Sequence, residues 1–292
     1  MADRLWADEP EAGGRRRYVI ADVFTATPLE GNQLGVFPDG RGLDDDLMQR
    51  TARELNLSET VFFLPAAHPG EVRVRIFTKA SELPFAGHPV LGSAFVLGEA
   101  LGTTRVTLET GAGAVPVDLE RDGDRITFGR MEQPIPVAER YEHAAELLAA
   151  LGVRRSGLPV EAYRNGPRHV YVELASEAEV AGLRPDQRAL AELEIGVSTF
   201  AGRGTAWKTR MFAPFHGVPE DPATGSAAGP LAVHLARYGR IGFGDEIEIR
   251  QGDEIGRPSR LYARVEGSAD KIERVLVGGS AVIVGRGEYR LS

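Results

Sequence analysis

The sequence contains no cysteine among its 292 residues. The protein therefore has no disulfide, no thiolate metal ligand and no cysteine nucleophile, and this composition fits a reducing cytosol. We accordingly expect a cytoplasmic location. The six histidines are scattered along the chain without the spacing of a metal site, so we predict no metal centre.

An excess of positive charge and long apolar runs are also missing. There are 34 Lys and Arg residues against 42 Asp and Glu residues, and the formal net charge is −8. This balance argues against a nucleic-acid partner. No segment approaches the roughly 18 consecutive apolar residues of a membrane span, so we expect no membrane partner either. The N-terminal segment lacks the apolar stretch of a secretory signal, and we predict a disordered tail over residues 1–16.

The length of the chain favours two domains, because single hydrophobic cores stop growing near 250–300 residues. A proline-containing break near residues 133–137 is the predicted boundary. We assign residues 17–132 to the first domain and residues 133–279 to the second. The first domain can also take the C-terminal strand, residues 280–292.

Local patterns predict a mixture of strands and helices. In residues 71–78, Val72, Val74 and Ile76 alternate with polar residues, which is typical of a strand with one buried face. Residues 139–152 are predicted to form a helix that ends at Gly152. Because strands and helices do not alternate in regular βαβ units, the order favours an α+β fold over a doubly wound one.

Two segments about half a chain apart share one plan. Residues 86–102 and residues 223–239 each begin with a small-residue loop and continue into an unusually apolar helix. A helix that is apolar on all sides must be buried. With predicted strands around each helix, we expect two pseudo-symmetric domains. Each would be a curled, mostly antiparallel sheet wrapped around a central apolar helix, with the active site in the cleft between the domains.

The strand predicted in SETVFFL begins with a charged residue. Because side chains alternate faces along a strand, Glu59 would point the same way as Val61 and Phe63, toward the interior. One interpretation is a solvated or backbone-bonded carboxylate at the strand end. The other is a desolvated carboxylate, whose charged form is disfavoured by burial and which can exchange a proton near neutral pH.

The first loop–helix junction contains Gly87 and His88. Glycine permits a tight turn and the close approach of a ligand to the backbone. The free N–H groups at a helix start favour an anion, and His88 would lie at that opening. The alternative is that His88 is only a helix cap or a surface residue.

The second junction reads EDPATGSA, from Glu220 to Ala227. Asp, Thr and Ser are good helix caps, so one interpretation is a well-capped helix. The other is a site for a carboxylate or phosphate, because Gly225, Ser226 and Ala227 offer consecutive backbone N–H groups. No Walker pattern is present, since no lysine follows the glycine.

Several motifs occur in an order that resembles the PhzF-like phenazine-biosynthesis family, within the wider diaminopimelate-epimerase-like group. They are GNQLGVF, LNLSETVFF, FAGHPVLGSA, RMFAPFHGVPEDPATGSAAGPL and QGDEIGRPSRLY. The resemblance spans nearly the whole chain after the tail. It implies two pseudo-symmetric domains with the active site between them, a homodimer, and isomerisation of a small acid without a cofactor.

The resemblance also suggests residue roles. In the phenazine enzyme a glutamate of the SET motif moves a proton on trans-2,3-dihydro-3-hydroxyanthranilate, and the corresponding residue here is Glu59. The histidine of AGHP corresponds to His88. The related epimerases use two cysteines at the loop–helix junctions, where this chain has Ala86 and Pro222. Epimerisation by two thiols is therefore excluded.

We therefore predict an isomerase that moves a proton or a double bond in a small carboxylated substrate such as a cyclic amino acid. Glu59 would be the general acid/base, and His88 and Asp221 would orient the substrate amine or relay the proton. The expected substrate-binding residues are Ser58, Gly87, Gly225, Ser226 and Ala227. The alternatives are a non-catalytic protein that binds a small anion, a scaffold that has lost its chemistry, and a racemase or tautomerase.

Overall fold

The computed structural model describes residues 14–68 and 71–291 and shows a mixed α/β fold. The chain divides into two units. Unit 1 runs through Glu132 and resumes at Gly278, and unit 2 is Gln133–Val277. Most of the predicted tail lies outside the described residues. Arg15 and Arg16, however, belong to a strand and not to the tail, because they pair with the C-terminal strand at Arg290 and Tyr289.

Among its described residues, unit 1 contains strands that pair in one mixed sheet and two α-helices. The strands are β1 (Arg15–Val23), β2 (Asn32–Phe37), β3 (Glu59–Pro65), β4 (Val72–Phe77), β5 (Glu82–Leu83), β6 (Arg105–Thr110), β7 (Gly113–Asp122), β8 (Arg125–Gln133) and β18 (Ala281–Arg290). The helices are α1 (Asp45–Leu55) and α2 (Gly87–Leu101). The pairing order is β18–β1–β2–β3–β4–β6–β7–β8, with β2–β3 and β4–β6 parallel and the other pairs antiparallel.

The two helices of unit 1 follow from different sequence features. Helix α1 is amphipathic, and the Asp44 side chain caps it by accepting a hydrogen bond from the N–H of Leu47 at 2.8 Å. Helix α2 is apolar on all sides and contacts β1, β2, β3, β6, β7 and β18. The predicted central apolar helix of this part of the chain is therefore present. The buried face predicted for β4, with Val72, Val74 and Ile76, is confirmed.

Unit 2 contains a second group of paired strands and the remaining helices. The strands are β9 (Val137–Arg140), β10 (Glu161–Arg164), β11 (Arg168–Glu173), β12 (Gly196–Arg203), β13 (Ala206–Ala213), β14 (Val218–Asp221), β15 (Glu246–Gln251), β16 (Ser259–Gly267) and β17 (Ile272–Gly279). The helices are α3 (Ala144–Leu151), α4 (Glu177–Gly182), α5 (Gln187–Glu192) and α6 (Gly225–Arg237). The pairing order is β9–β10–β11–β12–β13–β15–β16, with β14 also against β13.

The helix predicted over residues 139–152 is wrong in its first part. Helix α3 begins only at Ala144, and Glu139 and Arg140 belong to strand β9. Strand β9 pairs with β10, and Glu139 contacts the side chains of Arg164 at 3.3 Å and Arg168 at 3.0 Å. These partners are distant in sequence, so tertiary pairing overrides the local preference for helix. The predicted end at Gly152 is confirmed, because Gly152 adopts a left-handed conformation with φ of 71°.

Helix α2 needs a glycine where it crosses the sheet of unit 1. A Cβ atom at Gly92 would lie 2.6 Å from Cδ2 of Leu34 and 2.7 Å from Cγ2 of Val23. We expect Gly92→Ala to lower the free energy of unfolding by about 1–3 kcal/mol, because overpacking outweighs the better helix propensity of alanine. Urea denaturation measures this change. The matched control is Gly182→Ala in α4, where a Cβ meets no atom within 4 Å, and an equal loss there would contradict the packing argument.

Candidate active site

Glu59 is the first residue of β3, at the edge where β3 lies beside β2 in parallel register with Leu34. Its side chain is 14% exposed. The prediction of an interior carboxylate therefore holds for most of the side chain, but Glu59 is partly buried and not sealed from solvent. The following residues Thr60, Val61 and Phe62 are buried, so the backbone that holds this carboxylate is fixed by core packing.

His88 lies beside Glu59 and is almost fully buried. Its Nε2 atom is 3.1 Å from Oε2 of Glu59, and its Nδ1 atom is 3.2 Å from the side-chain nitrogen of Asn32. The amide nitrogen of Asn32 can only donate a hydrogen bond, so Nδ1 of His88 is the acceptor. In the neutral form of His88 the ring proton is therefore on Nε2. With Nδ1 bonded to Asn32, Nε2 is the ring nitrogen that lies next to Glu59.

The close pair of Glu59 and His88 is not a completed hydrogen bond. Although Nε2 and Oε2 are 3.1 Å apart, both atoms are buried without a properly aligned hydrogen-bond partner among the described residues. Buried polar atoms are rarely left in this state in folded proteins. The arrangement leaves a carboxylate oxygen and an imidazole nitrogen able to engage a substrate.

The start of helix α2 presents backbone donors near His88. As in any helix, the first N–H groups, here those of Gly87 and His88, have no acceptor inside the helix. Ala86 occupies the cap position and offers no side-chain hydrogen bond, and Pro89 has no N–H. Ser58 precedes β3 and is half-buried. Within the part of the chain that the structure describes, no hydrogen bond joins Ser58 to Glu59 or His88.

In unit 2, Asp221 braces the loop before helix α6. Its carboxylate accepts a hydrogen bond from Oγ1 of Thr224 at 2.6 Å. The side-chain amide of Gln251 donates to the backbone carbonyl of Asp221 at 2.8 Å and to Oγ1 of Thr224 at 2.9 Å. Asp221 is only 8% exposed. The carboxylate of Asp221 thus helps to fix the loop before α6, but it does not cap the helix, whose N-cap residue is Thr224.

The first turn of α6 offers donors similar to those of α2. Gly225, Ser226 and Ala227 are all buried, and the N–H of Ala227 donates to the carbonyl of Thr224 at 3.0 Å. The N–H groups of Gly225 and Ser226 have no acceptor inside the helix. Thr224 provides no side-chain cap to α6. These two N–H groups and the Ser226 hydroxyl could bind an anion.

Several residues that the sequence analysis did not single out stabilise this first turn. Pro230 has no N–H, so the carbonyl of Ser226 loses its usual helical donor, and the side-chain amide of Asn165 replaces it at 3.0 Å. The Tyr171 hydroxyl donates to the carbonyl of Ala227 at 2.8 Å. A proline four residues after Ser226 was the only sequence signal for such a replacement.

His169 is a further residue that the sequence analysis passed over. Its Nε2 atom is 3.0 Å from Oγ of Ser226. Burial, with a smaller contribution from His216, lowers the pKa of His169 to about 4, so the ring is neutral near pH 7. Its Nδ1 atom has no hydrogen-bond partner among the described residues. A buried N–H without an acceptor is rarer than an unpaired acceptor, so we place the proton on Nε2, where it donates to Ser226 and leaves the hydroxyl hydrogen for a ligand.

The lowered pKa of His169 predicts acid sensitivity. In the unfolded chain this histidine takes up a proton near pH 6.5. In the folded chain, where its pKa is lowered to about 4, it does so only near pH 4. Between these values the unfolded state binds more protons, so the free energy of unfolding falls with falling pH, by up to about 3 kcal/mol from this residue. When the free energy of unfolding is measured by urea titration at pH values from 7 to 4, it should decline less steeply for His169→Gln than for the wild type. The control His143→Gln, at an exposed position, should keep the wild-type slope, and identical slopes for all three proteins would refute the assignment.

The structure thus assembles the predicted site residues into two groups, each within one unit. Glu59, His88 and Gly87 lie together in unit 1, and Asp221, Gly225, Ser226 and Ala227 lie together in unit 2. Across residues 14–68 and 71–291, no three His, Asp or Glu side chains are grouped as metal ligands. In the same ranges no helix combines the length and apolarity needed to cross a membrane.

Comparisons with known proteins agree with the motifs that form these groups. The family model for PhzC-PhzF, described as phenazine biosynthesis-like protein, matches residues 21–287. A trans-2,3-dihydro-3-hydroxyanthranilate isomerase from Pseudomonas aeruginosa is 52% identical over 276 residues, which cover 94% of this chain and 99% of that protein.

Solved structures show the same fold. A PhzF-family phenazine biosynthesis protein from Bacillus anthracis matches with a TM-score of 0.83 at 24% identity, over 94% of this chain and 99% of that one. A probable proline racemase from Agrobacterium radiobacter matches with a TM-score of 0.65 at 15% identity, over 93% of this chain and 92% of that one. The second match extends the likeness in fold to racemases.

Proposed function

This chain belongs to the PhzC-PhzF phenazine biosynthesis-like family and is an isomerase, and on that premise we propose that it isomerises trans-2,3-dihydro-3-hydroxyanthranilate without a cofactor. The observation that supports this most is the pair formed by Glu59 and His88, whose facing atoms are buried and lack aligned partners. A carboxylate in this state is suited to take and return a proton.

The proposed reaction conserves every atom of the substrate. The substrate is a ring that bears a carboxylate, an amine and a hydroxyl group, with two conjugated double bonds. Glu59 removes a proton from one ring carbon, the electron pair of the broken C–H bond shifts the double bonds, and the proton returns to another carbon. Because one carboxylate performs both steps, the proton leaves and returns on the same face of the ring.

His88 positions this carboxylate in the proposal. Its Nε2 atom lies 3.1 Å from Oε2 of Glu59, and Asn32 bonds to Nδ1 on the other side of the ring. The imidazole stabilises the charged form of the carboxylate before proton removal. It can also bind a polar substituent of the substrate when the carboxylate is protonated. In this scheme the ring nitrogen contributes orientation and charge stabilisation, and Asn32 holds the tautomer.

We assign substrate binding to the two helix starts. The N–H groups of Gly225 and Ser226, with the Ser226 hydroxyl, suit the substrate carboxylate, since the positive end of a helix dipole favours an anion. Ala227 completes this turn, and Gly87 offers the corresponding backbone donor in unit 1. Asp221 suits the substrate amine through opposite charge. Ser58 is retained as a substrate contact from the sequence motif alone.

The alternative function is capture of a small anion without turnover. That function gains nothing from a carboxylate beside the ligand, because Glu59 would repel an anion and cost desolvation energy. The similarity to a curated isomerase over nearly the whole chain also favours catalysis. We therefore retain anion capture only as an outcome of the experiment below.

The proposal is tested by incubating the purified chain with trans-2,3-dihydro-3-hydroxyanthranilate, with no added cofactor and with a metal chelator present. We expect a product of equal mass that separates from the substrate by liquid chromatography. In D₂O we expect the product to gain up to one carbon-bound deuteron. Saturable binding with an unchanged compound would instead support anion capture and overturn the proposed activity.

We also propose that the chain forms a homodimer, as its family resemblance implies. Light scattering coupled to size-exclusion chromatography should then give twice the chain mass of 31.5 kDa. A monomeric mass at micromolar concentration would reject this assignment without affecting the assignment of Glu59.

A further inference from the structure

Unit 2 contains a large cavity that none of the proposed site residues lines. Its volume is about 1140 Å³. The walls come from the segment after α3, from the end of β11 and from helix α4 with the residues that follow it. This volume slightly exceeds the range of about 300–1,000 Å³ for small-molecule sites, so the cavity can accept a ligand of metabolite size.

Three arginines line this cavity without a carboxylate partner. Arg154 and Arg155 make neither a hydrogen bond nor an ion pair with any described residue, and the only hydrogen bond from Arg184 goes to the carbonyl of Leu183 at 2.8 Å. Other arginines of unit 2 are paired: Arg168 contacts Glu139, and Arg237 contacts Glu161. The three cavity arginines therefore keep their guanidinium groups available.

The acidic residues of the cavity already have partners. Glu173 accepts a hydrogen bond from Arg240 at 2.8 Å, which cancels its charge. Glu179 accepts a hydrogen bond from the N–H of Ala175 at 3.1 Å as part of the α4 cap. Three arginines against the single remaining charge of Glu179 leave a local charge of 3 − 1 = +2. This local positive charge occurs in a chain whose formal net charge is −8.

The rest of the lining is compatible with a compact, highly charged ligand. Leu151, Val153 and Leu183 provide an apolar wall, and Ser156 lies on the rim. Gly157 cannot be replaced without disturbing the wall, because a Cβ there would lie 2.4 Å from Oε2 of Glu173. The absence of a side chain at Gly157 thus lets the paired carboxylate of Glu173 pack against the backbone there.

We propose that this cavity binds a small polyanion with at least two phosphate or carboxylate groups, at a site separate from the isomerase residues. Guanidinium groups form paired hydrogen bonds with the oxygens of phosphates and of carboxylates, so three arginines suit a ligand that carries either group. Phosphate and carboxylate share this chemistry, and the experiment separates them. An adjoining cavity of about 460 Å³ shares Gly157 and Glu173 and adds Arg203, which extends the positive surface for a longer anion.

The test is isothermal titration calorimetry of the full chain with tripolyphosphate and, separately, with citrate. We expect one saturable site per chain for at least one of the two anions, and weaker binding as salt is raised. Arg154→Ala/Arg155→Ala/Arg184→Ala should lower the affinity roughly tenfold or more, since each charged hydrogen bond contributes about 1.5–3 kcal/mol and 1.4 kcal/mol is tenfold. Isomerase turnover should stay at the wild-type rate.

The matched control is Arg188→Ala, which removes an exposed arginine that contacts Glu192 and does not line the cavity. It should bind the anion as the wild type does. If the triple variant fails to fold, the single variant Arg154→Glu gives the same comparison, with thermal unfolding and turnover confirming its integrity. Absence of saturable binding by both anions, or equal affinity in the wild type and the arginine variants, would overturn the proposal.

Discussion

Glu59→Gln is expected to lower kcat on trans-2,3-dihydro-3-hydroxyanthranilate by about 1000-fold, within the range of roughly 10²–10⁴ for general acid–base catalysis. Glutamine has the shape of glutamate but cannot take a proton. The substrate should still bind, because the backbone donors to which we assign substrate binding are unchanged, so KM should change little. Steady-state kinetics give both parameters, and calorimetry with the inactive variant gives the substrate affinity directly.

Two variants separate this effect from general damage at the site. Glu59→Asp retains a carboxylate but withdraws it by one methylene, so we expect activity between those of the wild type and Glu59→Gln. Glu54→Gln makes the same replacement of a carboxylate by an amide, but at an exposed position of α1. This control should leave kcat at the wild-type value. Full turnover by Glu59→Gln would reject the assigned proton carrier.

The second large effect is expected from His88→Phe, which fills a similar volume but removes both ring nitrogens. The variant loses the Nε2 atom near Glu59 and the Nδ1 atom that bonds to the Asn32 amide. We expect kcat to fall about 100-fold, equal to about 2.7 kcal/mol of transition-state stabilisation. The effect should fall on kcat more than on KM, since His88 acts through the carboxylate.

A double-mutant cycle tests that His88 acts through Glu59. Because the two residues are in contact, His88→Phe should cost little further activity in a chain that already carries Glu59→Gln. The matched control is His143→Phe, which replaces an exposed histidine near Glu146 and should not change kcat. Fully additive losses from Glu59→Gln and His88→Phe would show that His88 acts independently.

The sequence predicted the fold best where the signal is local. The two apolar helices, the alternating face of β4 and the glycine that ends α3 are each set by residues within one or two turns of each other. Strand β12 was not predicted, because its first six residues are all buried and show no alternation. Strand β9 was misread as helix because its pairing partner β10 lies about twenty residues later.

The candidate site likewise combines residues indicated by local motifs with residues that only the tertiary structure brings close. Glu59, His88, Asp221 and Ser226 could be proposed from the sequence because each belongs to a short motif with a chemical rationale. The residues that orient them are distant in sequence: Asn32 is 56 residues from His88, and His169 is 57 residues from Ser226. A single sequence carries no signal that joins such pairs. Only the folded chain shows which histidine contacts Ser226 and which amide contacts His88.

Proton transfer by Glu59 is tested most sharply with a substrate deuterated at its ring carbons and turned over by the wild-type chain in ordinary water. We expect slower turnover than with unlabelled substrate, because a C–D bond is broken in place of a C–H bond. We also expect a product in which one ring carbon has lost its deuteron and another has gained a proton or a deuteron. With Glu59→Gln neither change should be detectable above the uncatalysed reaction. Equal rates for the two substrates, with every deuteron still on its original carbon, would contradict proton transfer by Glu59.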